Sequence, residues 1–318
     1  MPNTATKNKP KKSPAKSKAQ KSRASAKASV PAKGAKKKPV QKPKGQKPAR
    51  KKKPVFTAKT ADRHQLYQLA VQSPEEDVQF LDRVYKSVRK KKAKHFREDF
   101  CGTAVLAANW VKRGKEYSAE GFDICGDTIA WGLAHNFEPL GDKAGQCMLH
   151  MKDVREKSHK RPDVRAAQNF SYMVFKTREE MRGYLQAAYD DLAKDGVFVM
   201  DIYGGPESME EMEEVRKIDD GFTYVWDQSV YWPATGDYKA HIHFRFKDGT
   251  EIKRAFSYEW RLWTLTEIQD ILSEVGFKQV VQYWEGTDED GESGNGIYRK
   301  SRRGENCLAW VTYLVGYK

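Results

Sequence analysis

The most chemically suggestive residues are a run of acids beside a turn and a further acid along the chain. Residues 96–104 are Phe-Arg-Glu-Asp-Phe-Cys-Gly-Thr-Ala, and Asp123 follows the stretch 117–122. Gly102 and Asp123 are 21 positions apart, about the ~20-residue spacing at which a βαβ unit brings a backbone turn and a ribose-binding carboxylate to one ligand. The carboxylate can accept hydrogen bonds from two ribose hydroxyls, and glycine lets the backbone approach the ligand. The spacing therefore predicts a site for an adenosine-type cofactor.

The elements that must position this site alternate between helix and strand. Apolar periodicity predicts helices at 65–70, 75–88, 105–112, 127–134, 178–192 and 265–275, with strands before residue 101 and at 117–122, 145–151, 164–169, 196–203, 278–284 and 307–316. Residues 222–261 alternate with period two around a turn at Asp248-Gly249, which predicts antiparallel strands. The pattern predicts an α/β fold with a mostly parallel sheet, helices on both faces, one antiparallel C-terminal strand and an antiparallel β insertion.

Charge divides the chain into two parts. The chain has 58 Lys and Arg against 43 Asp and Glu, a net charge of +15, but residues 1–54 hold 20 of the basic residues and no acid. The remainder, 55–318, therefore carries about −5. A tail of Lys, Ala, Pro and Ser cannot bury enough apolar surface to offset its ordering entropy, so residues 1–54 are predicted to be disordered and 55–318 to form the domain.

Other compositional features exclude several classes of protein. No apolar run approaches the length of a membrane span. The four cysteines are widely spaced with no Cys-x-x-Cys, which predicts free thiols in a reducing cytosol. His241 and His243 share one face of a predicted strand without a third ligand, so no metal site is predicted.

Residues 98–104, Glu-Asp-Phe-Cys-Gly-Thr-Ala, resemble the first motif of class I S-adenosylmethionine-dependent methyltransferases, acid-x-Gly-x-Gly-x-Gly. The resemblance extends from about residue 65 to the C-terminus and implies a Rossmann-like doubly wound sheet with S-adenosyl-L-methionine as cofactor. It places Glu98 near the methionine amino group, Asp123 at the ribose and Asp153-Val154 at the adenine. The implied cofactor-binding residues are Glu98, Phe100, Gly102, Asp123, Ile124, Asp153, Val154 and Asn169.

Two residues depart from this motif. Phe100 stands where the family has its first glycine, and Ala104 stands where it has the third. A phenylalanine there is expected to alter the turn or to place its ring against the cofactor. A cofactor without phosphates tolerates such losses better than a dinucleotide, whose pyrophosphate needs the glycines.

The resemblance also implies a mechanism, direct displacement at the sulfonium methyl, in which the enzyme aligns the nucleophile and excludes water. Asn169 and Tyr172 are expected to orient the nucleophile. The segment Asn-Phe-Ser-Tyr, 169–172, loosely resembles the Asn-Pro-Pro-Tyr of enzymes that methylate amino groups of nucleobases or glutamine, without its prolines. The predicted substrate-binding residues are Tyr203 at the cleft and, on the insertion, Arg254, Tyr258 and Arg261. The aromatic residues of the insertion are expected to pack the sheet, or alternatively to cage a cationic amine.

The tail supports a hypothesis of another class. It resembles the tails of linker histones and bacterial histone-like proteins, and its charge predicts nucleic-acid binding through counterion release. Three alternatives remain open. The chain is an enzyme acting on RNA, DNA or a ribosomal protein with the tail as its anchor, an enzyme acting on a small metabolite with the tail only localising it, or a non-catalytic nucleic-acid-binding protein with a degenerate cofactor site. The expected setting is the cytoplasm or nucleoid of a bacterium, or a eukaryotic nucleus. The sequence specifies neither the acceptor nor the oligomeric state.

Overall fold

The computed structural model describes residues 56–287 and 294–318. The predicted disordered tail, 1–54, lies outside the described residues. Across these two ranges no helix has the length and apolarity needed to span a bilayer. The thiols of all four cysteines are free.

Eight strands form the main sheet: β1 (His95–Asp99), β2 (Ser118–Asp123), β3 (Cys147–Met151), β4 (Val164–Ala167), β5 (Val197–Gly204), β10 (Gln279–Thr287), β11 (Gly294–Lys300) and β12 (Trp310–Tyr317). Their order is β11-β10-β12-β5-β4-β1-β2-β3. The five strands from β5 to β3 are parallel, and β12 is antiparallel to both β5 and β10. The predicted Rossmann-like sheet with an antiparallel C-terminal strand is thus confirmed.

Strand β11 was not predicted from the sequence, and it adds a second antiparallel strand at the edge of the sheet. Its sequence, Gly-Asn-Gly-Ile-Tyr-Arg-Lys, has little apolar alternation. Pairing with β10 holds it instead, because an edge strand needs only one partner.

Within the described ranges, six α-helices flank this sheet and the insertion: α1 (Arg63–Val71), α2 (Pro74–Arg89), α3 (Val105–Val111), α4 (Gly126–Gly132), α5 (Arg178–Asp191) and α6 (Leu265–Glu274). Apolar side chains of α2 and α3 pack into one core on one face of the sheet, and those of α5 and α6 pack into a second core on the other face. Helices α5 and α6 each begin at a capping box, Thr177 with Glu180 and Thr264 with Glu267, which satisfies free backbone N–H groups at the helix start.

The insertion is a four-stranded antiparallel sheet with β6 (Met212–Ile218), β7 (Phe222–Trp232), β8 (Asp237–Phe246) and β9 (Glu251–Arg261), in that order. It begins ten residues earlier than the predicted 222–261 because β6, a charged strand, pairs with β7. One apolar face packs against α1 through residues such as Leu66, Phe222 and Phe244.

The chain changes direction across the main sheet between β1 and β4, which are neighbours although β2 and β3 lie between them in sequence. Ligands of open α/β sheets bind in the crevice outside the carboxyl ends of the strands at such a switch point. Residues 100–104, Asp123 and residues 168–170 lie at these ends. The topology therefore brings the predicted site residues to one edge of the sheet.

Candidate cofactor and acceptor site

The turn after β1 has a backbone conformation typical of glycine at three alternate positions. The φ angles of Phe100, Gly102 and Ala104 are 53°, 51° and 52°, a region that costs a non-glycine residue roughly 1–2 kcal/mol. Phe100 thus takes a left-handed backbone conformation that is more typical of glycine. Its ring packs against the rings of Phe175 and Tyr184, with centroids 6.0 and 5.7 Å away.

Asp123 joins this turn to the end of β2. Its Oδ2 accepts a hydrogen bond from the backbone N–H of Gly102 at 2.8 Å, and its Oδ1 accepts one from that of Cys125 at 2.8 Å. The turn and Asp123 therefore lie next to each other, as their spacing predicts, and they are also joined by a direct hydrogen bond that the sequence did not indicate. Beside Asp123, the side chains of Ile124 and Met151 are 78% and 68% exposed. They form an uncovered apolar surface next to a carboxylate, a combination suited to a nucleoside.

Glu98 is buried at the end of β1 behind the turn. Its Oε2 accepts a hydrogen bond from the backbone N–H of Ala107 at 2.8 Å. Desolvation raises the pKa of Glu98 to about 8 against the lowering effect of that N–H, and repulsion from Asp123 adds to the rise. A cationic group beside Glu98 would favour the carboxylate.

Asp153 and Val154 follow β3 at the same edge. The Asp153 carboxylate accepts two hydrogen bonds from the Arg155 guanidinium, at 2.9 and 2.7 Å, and this pairing lowers the pKa of Asp153. The carbonyl of Val154 accepts hydrogen bonds from Arg97 and Arg165, both at 2.6 Å. The Val154 carbonyl is therefore fully engaged by these two guanidinium groups.

Asn169 and Phe170 follow β4, and both have left-handed backbone conformations, with φ of 58° and 59°. Asp201, a buried acid in β5, accepts their N–H groups at 2.8 and 3.1 Å. Tyr172 is fully buried, and its hydroxyl donates to the Asp201 carbonyl at 2.8 Å. Tyr172 thus faces the core, which differs from the direct contact with the nucleophile expected from the sequence. Asp201 was missed by the sequence analysis, although an acid inside an otherwise apolar strand was the available signal.

The four predicted substrate residues fall into different surroundings. Tyr203 lies near the loop after β4, with its ring 4.7 Å from that of Phe170. Tyr258 lies on the inner face of the insertion, 4.4 Å from the ring of Trp260. The structure therefore brings Tyr203 and Tyr258 into the same aromatic core that borders the loop.

The two arginines lie elsewhere. Arg254 lines a polar pocket of about 290 Å³, together with charged residues of β6, β7, β8 and β9. The backbone N–H of Arg254 donates a hydrogen bond to His243 Nδ1 at 3.0 Å. Arg261 donates to the Lys176 carbonyl and the Glu267 carboxylate, and stacks on Trp263. Aromatic residues of the insertion pack with one another, as the sequence favoured. The ring centroids of Trp226 and Tyr258, for example, are 5.7 Å apart.

Helix α1 covers the turn from the insertion side. The Gln68 amide donates to Thr103 Oγ1 at 2.8 Å, and the His64 ring contacts that of Trp131 in α4 at 5.4 Å. On its other side, Tyr67 packs against Phe256 of β9. No motif marked α1 as part of the site; only its position in the fold does so.

Comparisons with known proteins agree with this architecture. No protein-family model and no curated protein matches the chain. Among solved structures, the chain is similar to an S-adenosylmethionine-dependent methyltransferase from Clostridium acetobutylicum, with a TM-score of 0.58, 16% identity, and 80% of this chain and 96% of that chain covered. An S-adenosylmethionine-bound amino pentose methyltransferase from Micromonospora echinaspora gives a TM-score of 0.56 and 15% identity, with 80% and 95% covered.

A sugar N-methyltransferase from a Streptoalloteichus species gives a TM-score of 0.53 and 16% identity, with 86% and 99% covered. At these identities the similarity concerns the fold. The chain therefore shares its fold with these methyltransferase structures.

Proposed function

We propose that the chain is an S-adenosylmethionine-dependent methyltransferase. The observation that carries the proposal is the turn at residues 100–104, which keeps a left-handed conformation at three alternate positions and is hydrogen-bonded to Asp123. Strain at two non-glycine residues persists only where the surrounding structure imposes it, and such strain clusters at ligand sites. The same conformation argues against the alternative of a degenerate cofactor site closed by Phe100.

The residues present fit this cofactor in chemical type. Glu98 suits the cationic amino group, Asp123 the ribose hydroxyls, and Ile124 with Met151 an apolar ring. The carboxylate of Asp153 and the N–H of Val154 suit the amine and ring nitrogen of adenine. When bound, the cofactor supplies an electrophilic methyl group. The chain's own part is to orient the acceptor at the loop after β4 and to exclude water from it.

Asn169 is the proposed contact to the acceptor, with Tyr203 and Tyr258 bordering its path. Arg261 is bonded to Lys176 and Glu267, and Arg254 lines the polar pocket of the insertion, so we assign no anionic part of the acceptor to them. The named functions of two similar structures, an amino pentose and a sugar N-methyltransferase, make amino sugars the first acceptors to screen.

Calorimetric titration of the full chain tests the proposal. S-adenosylmethionine and its demethylated product, S-adenosylhomocysteine, are expected to bind, and NADH is not. An Asp123→Asn variant is expected to weaken binding by about tenfold to hundredfold because a charge-assisted hydrogen bond is lost. Asp127→Asn, an exposed acid in the first turn of α4, is the matched control. Binding of NADH alone would contradict the proposal.

We further infer that residues 1–54 act as a tether to nucleic acid for the domain formed by 55–318. The charge of +20 on the tail against about −5 on the remainder supports this division. Deleting residues 1–54 is expected to abolish retention on DNA or RNA at low salt and to leave turnover of a small acceptor unchanged. Loss of turnover with saturating acceptor would instead assign the tail a part in the reaction.

A further inference from the structure

We propose that Arg97 and Arg165 are positioning residues that fix the segment 153–158 for recognition of the adenine ring. The proposal rests on the proposed function, and it concerns two residues to which the sequence analysis gave no role. They lie side by side on β1 and β4, directly paired in the sheet register. Both side chains are completely buried.

The two guanidinium groups converge on one atom of the adenine segment. Arg97 and Arg165 each donate a hydrogen bond of 2.6 Å to the carbonyl of Val154. Arg97 also donates to the carbonyl of Glu156 at 2.8 Å and to the hydroxyl of Ser158 at 3.0 Å. Arg97, on β1, therefore forms hydrogen bonds with three of the five residues that follow Asp153.

Two buried acids hold the arginines in place. Asp99 accepts the Nε–H of Arg97 through Oδ1 and that of Arg165 through Oδ2, both at 2.7 Å. Asp191 at the end of α5 accepts both guanidinium groups through Oδ2, at 3.1 and 3.3 Å. Two positive and two negative charges thus balance in a site without water access, where an unpaired charge would be costly.

Further contacts make this cluster rigid. Asp99 Oδ2 also accepts the hydroxyl of Tyr184 at 2.8 Å, and the Arg97 guanidinium stacks on the ring of Phe122 at 3.6 Å. Asp191 accepts the N–H and the hydroxyl of Ser158 at 3.0 and 2.6 Å. A cluster satisfied in this way fixes geometry more than it adds stability, since a well-packed apolar replacement is often as stable.

The geometry has a consequence for the ligand. Because both arginines hold the Val154 carbonyl, the backbone of this segment keeps one orientation. On the proposed function, it presents to the ring the Asp153 carboxylate, which Arg155 orients through two hydrogen bonds, and the Val154 N–H. These groups, one acceptor and one donor, match the exocyclic amine and ring nitrogen of adenine. Hypoxanthine carries the reverse pattern, an oxygen and an N–H, so a fixed segment rejects it by about tenfold or more.

The test measures the ratio of dissociation constants for S-inosylhomocysteine and S-adenosylhomocysteine with the full chain. Arg165→Lys keeps the charge but cannot hold both Asp99 and Val154, and it is expected to bring the ratio from tenfold or more towards one. Amide hydrogen exchange of residues 153–158 in the unliganded protein is expected to quicken at least tenfold. A merely structural role would weaken both ligands equally and leave the ratio unchanged.

Ser158→Ala is the second variant, for the case in which Arg165→Lys does not fold. It removes contacts from the segment while leaving all four charges paired, and a fall in the ratio of about threefold is expected. Ser273→Ala, on the exposed side of α6, is the control. An unchanged ratio in a folded variant overturns the positioning role. Absence of binding of both S-adenosylmethionine and S-adenosylhomocysteine to the unchanged chain overturns the proposed function and, with it, this inference.

Discussion

Replacing Glu98 by glutamine should change how the stability of the protein depends on pH. Burial raises the pKa of this carboxyl from 4.5 to about 8. The folded protein therefore holds a proton on Glu98 between these pH values, whereas the unfolded chain releases it. The contribution of Glu98 to stability is complete below pH 4.5 and is lost progressively as the pH rises to 8.

The size of the effect follows from the shift. Each pH unit between 4.5 and 8 lowers the free energy of unfolding by about 1.4 kcal/mol through this group, which amounts to about 3 kcal/mol at pH 7. Glu98→Gln does not titrate, and its amide oxygen can still accept the N–H of Ala107. The variant should therefore be close to the unchanged protein at pH 5 and more stable than it by about 3 kcal/mol at pH 7.

Urea unfolding at pH 5, 6, 7 and 8 measures the difference directly. Glu116→Gln, at an exposed position before β2, is the matched control and should show no such divergence. If the free energies of unfolding of the Glu98→Gln and unchanged proteins instead change with pH in parallel, Glu98 is ionised in the folded state and the reasoning is refuted. If Glu98 contacts the cofactor's amino group, binding at pH 7 should also release a proton, which calorimetry in buffers of different ionisation enthalpy detects.

Three further substitutions, the first paired with a comparison variant inside α3, test the surroundings of the site. Ala104→Gly should raise the free energy of unfolding by about 1 kcal/mol because it relieves a left-handed alanine. Ala107→Gly inside α3 should lower the free energy of unfolding by about 1 kcal/mol. If both substitutions shift the urea midpoint in the same direction, Ala104 is not strained. Asp201→Asn should cost about 1–3 kcal/mol because an amide cannot accept both backbone N–H groups, and turnover should fall with it. Tyr172→Phe should cost about 1 kcal/mol and leave kcat nearly unchanged; a hundredfold loss of kcat in a folded variant would restore a direct catalytic role.

The alternation of apolar residues was enough to predict the main sheet and its helices. Helix α5, predicted at 178–192, spans Arg178–Asp191, and the strand predicted at 196–203 is Val197–Gly204. The sequence missed β6 and β11, because both are rich in charged residues or glycine. Each of these strands is formed by pairing with a more regular neighbour, and such pairing leaves no local signal.

The site was predicted unevenly for a similar reason. The closeness of Gly102 to Asp123 depends on a local unit, so their spacing was sufficient. The roles of Arg97, Arg165 and Asp201 depend on partners far away in the chain. A charged residue within a strand has no interpretable role until its neighbours across the sheet are known.

By itself, the sequence determined the α/β class, the closeness of the turn to Asp123, and the division of charge between the tail and the remainder. These depend on periodicity, short spacing and composition. Only the tertiary structure decided that Phe100 keeps a glycine-like backbone and that Tyr172 faces the core. It also decided that Arg254 lies apart from Tyr203 and that two buried arginines hold the segment after β3. Burial and long-range pairing settle these features, and neither can be read from residues adjacent in the chain.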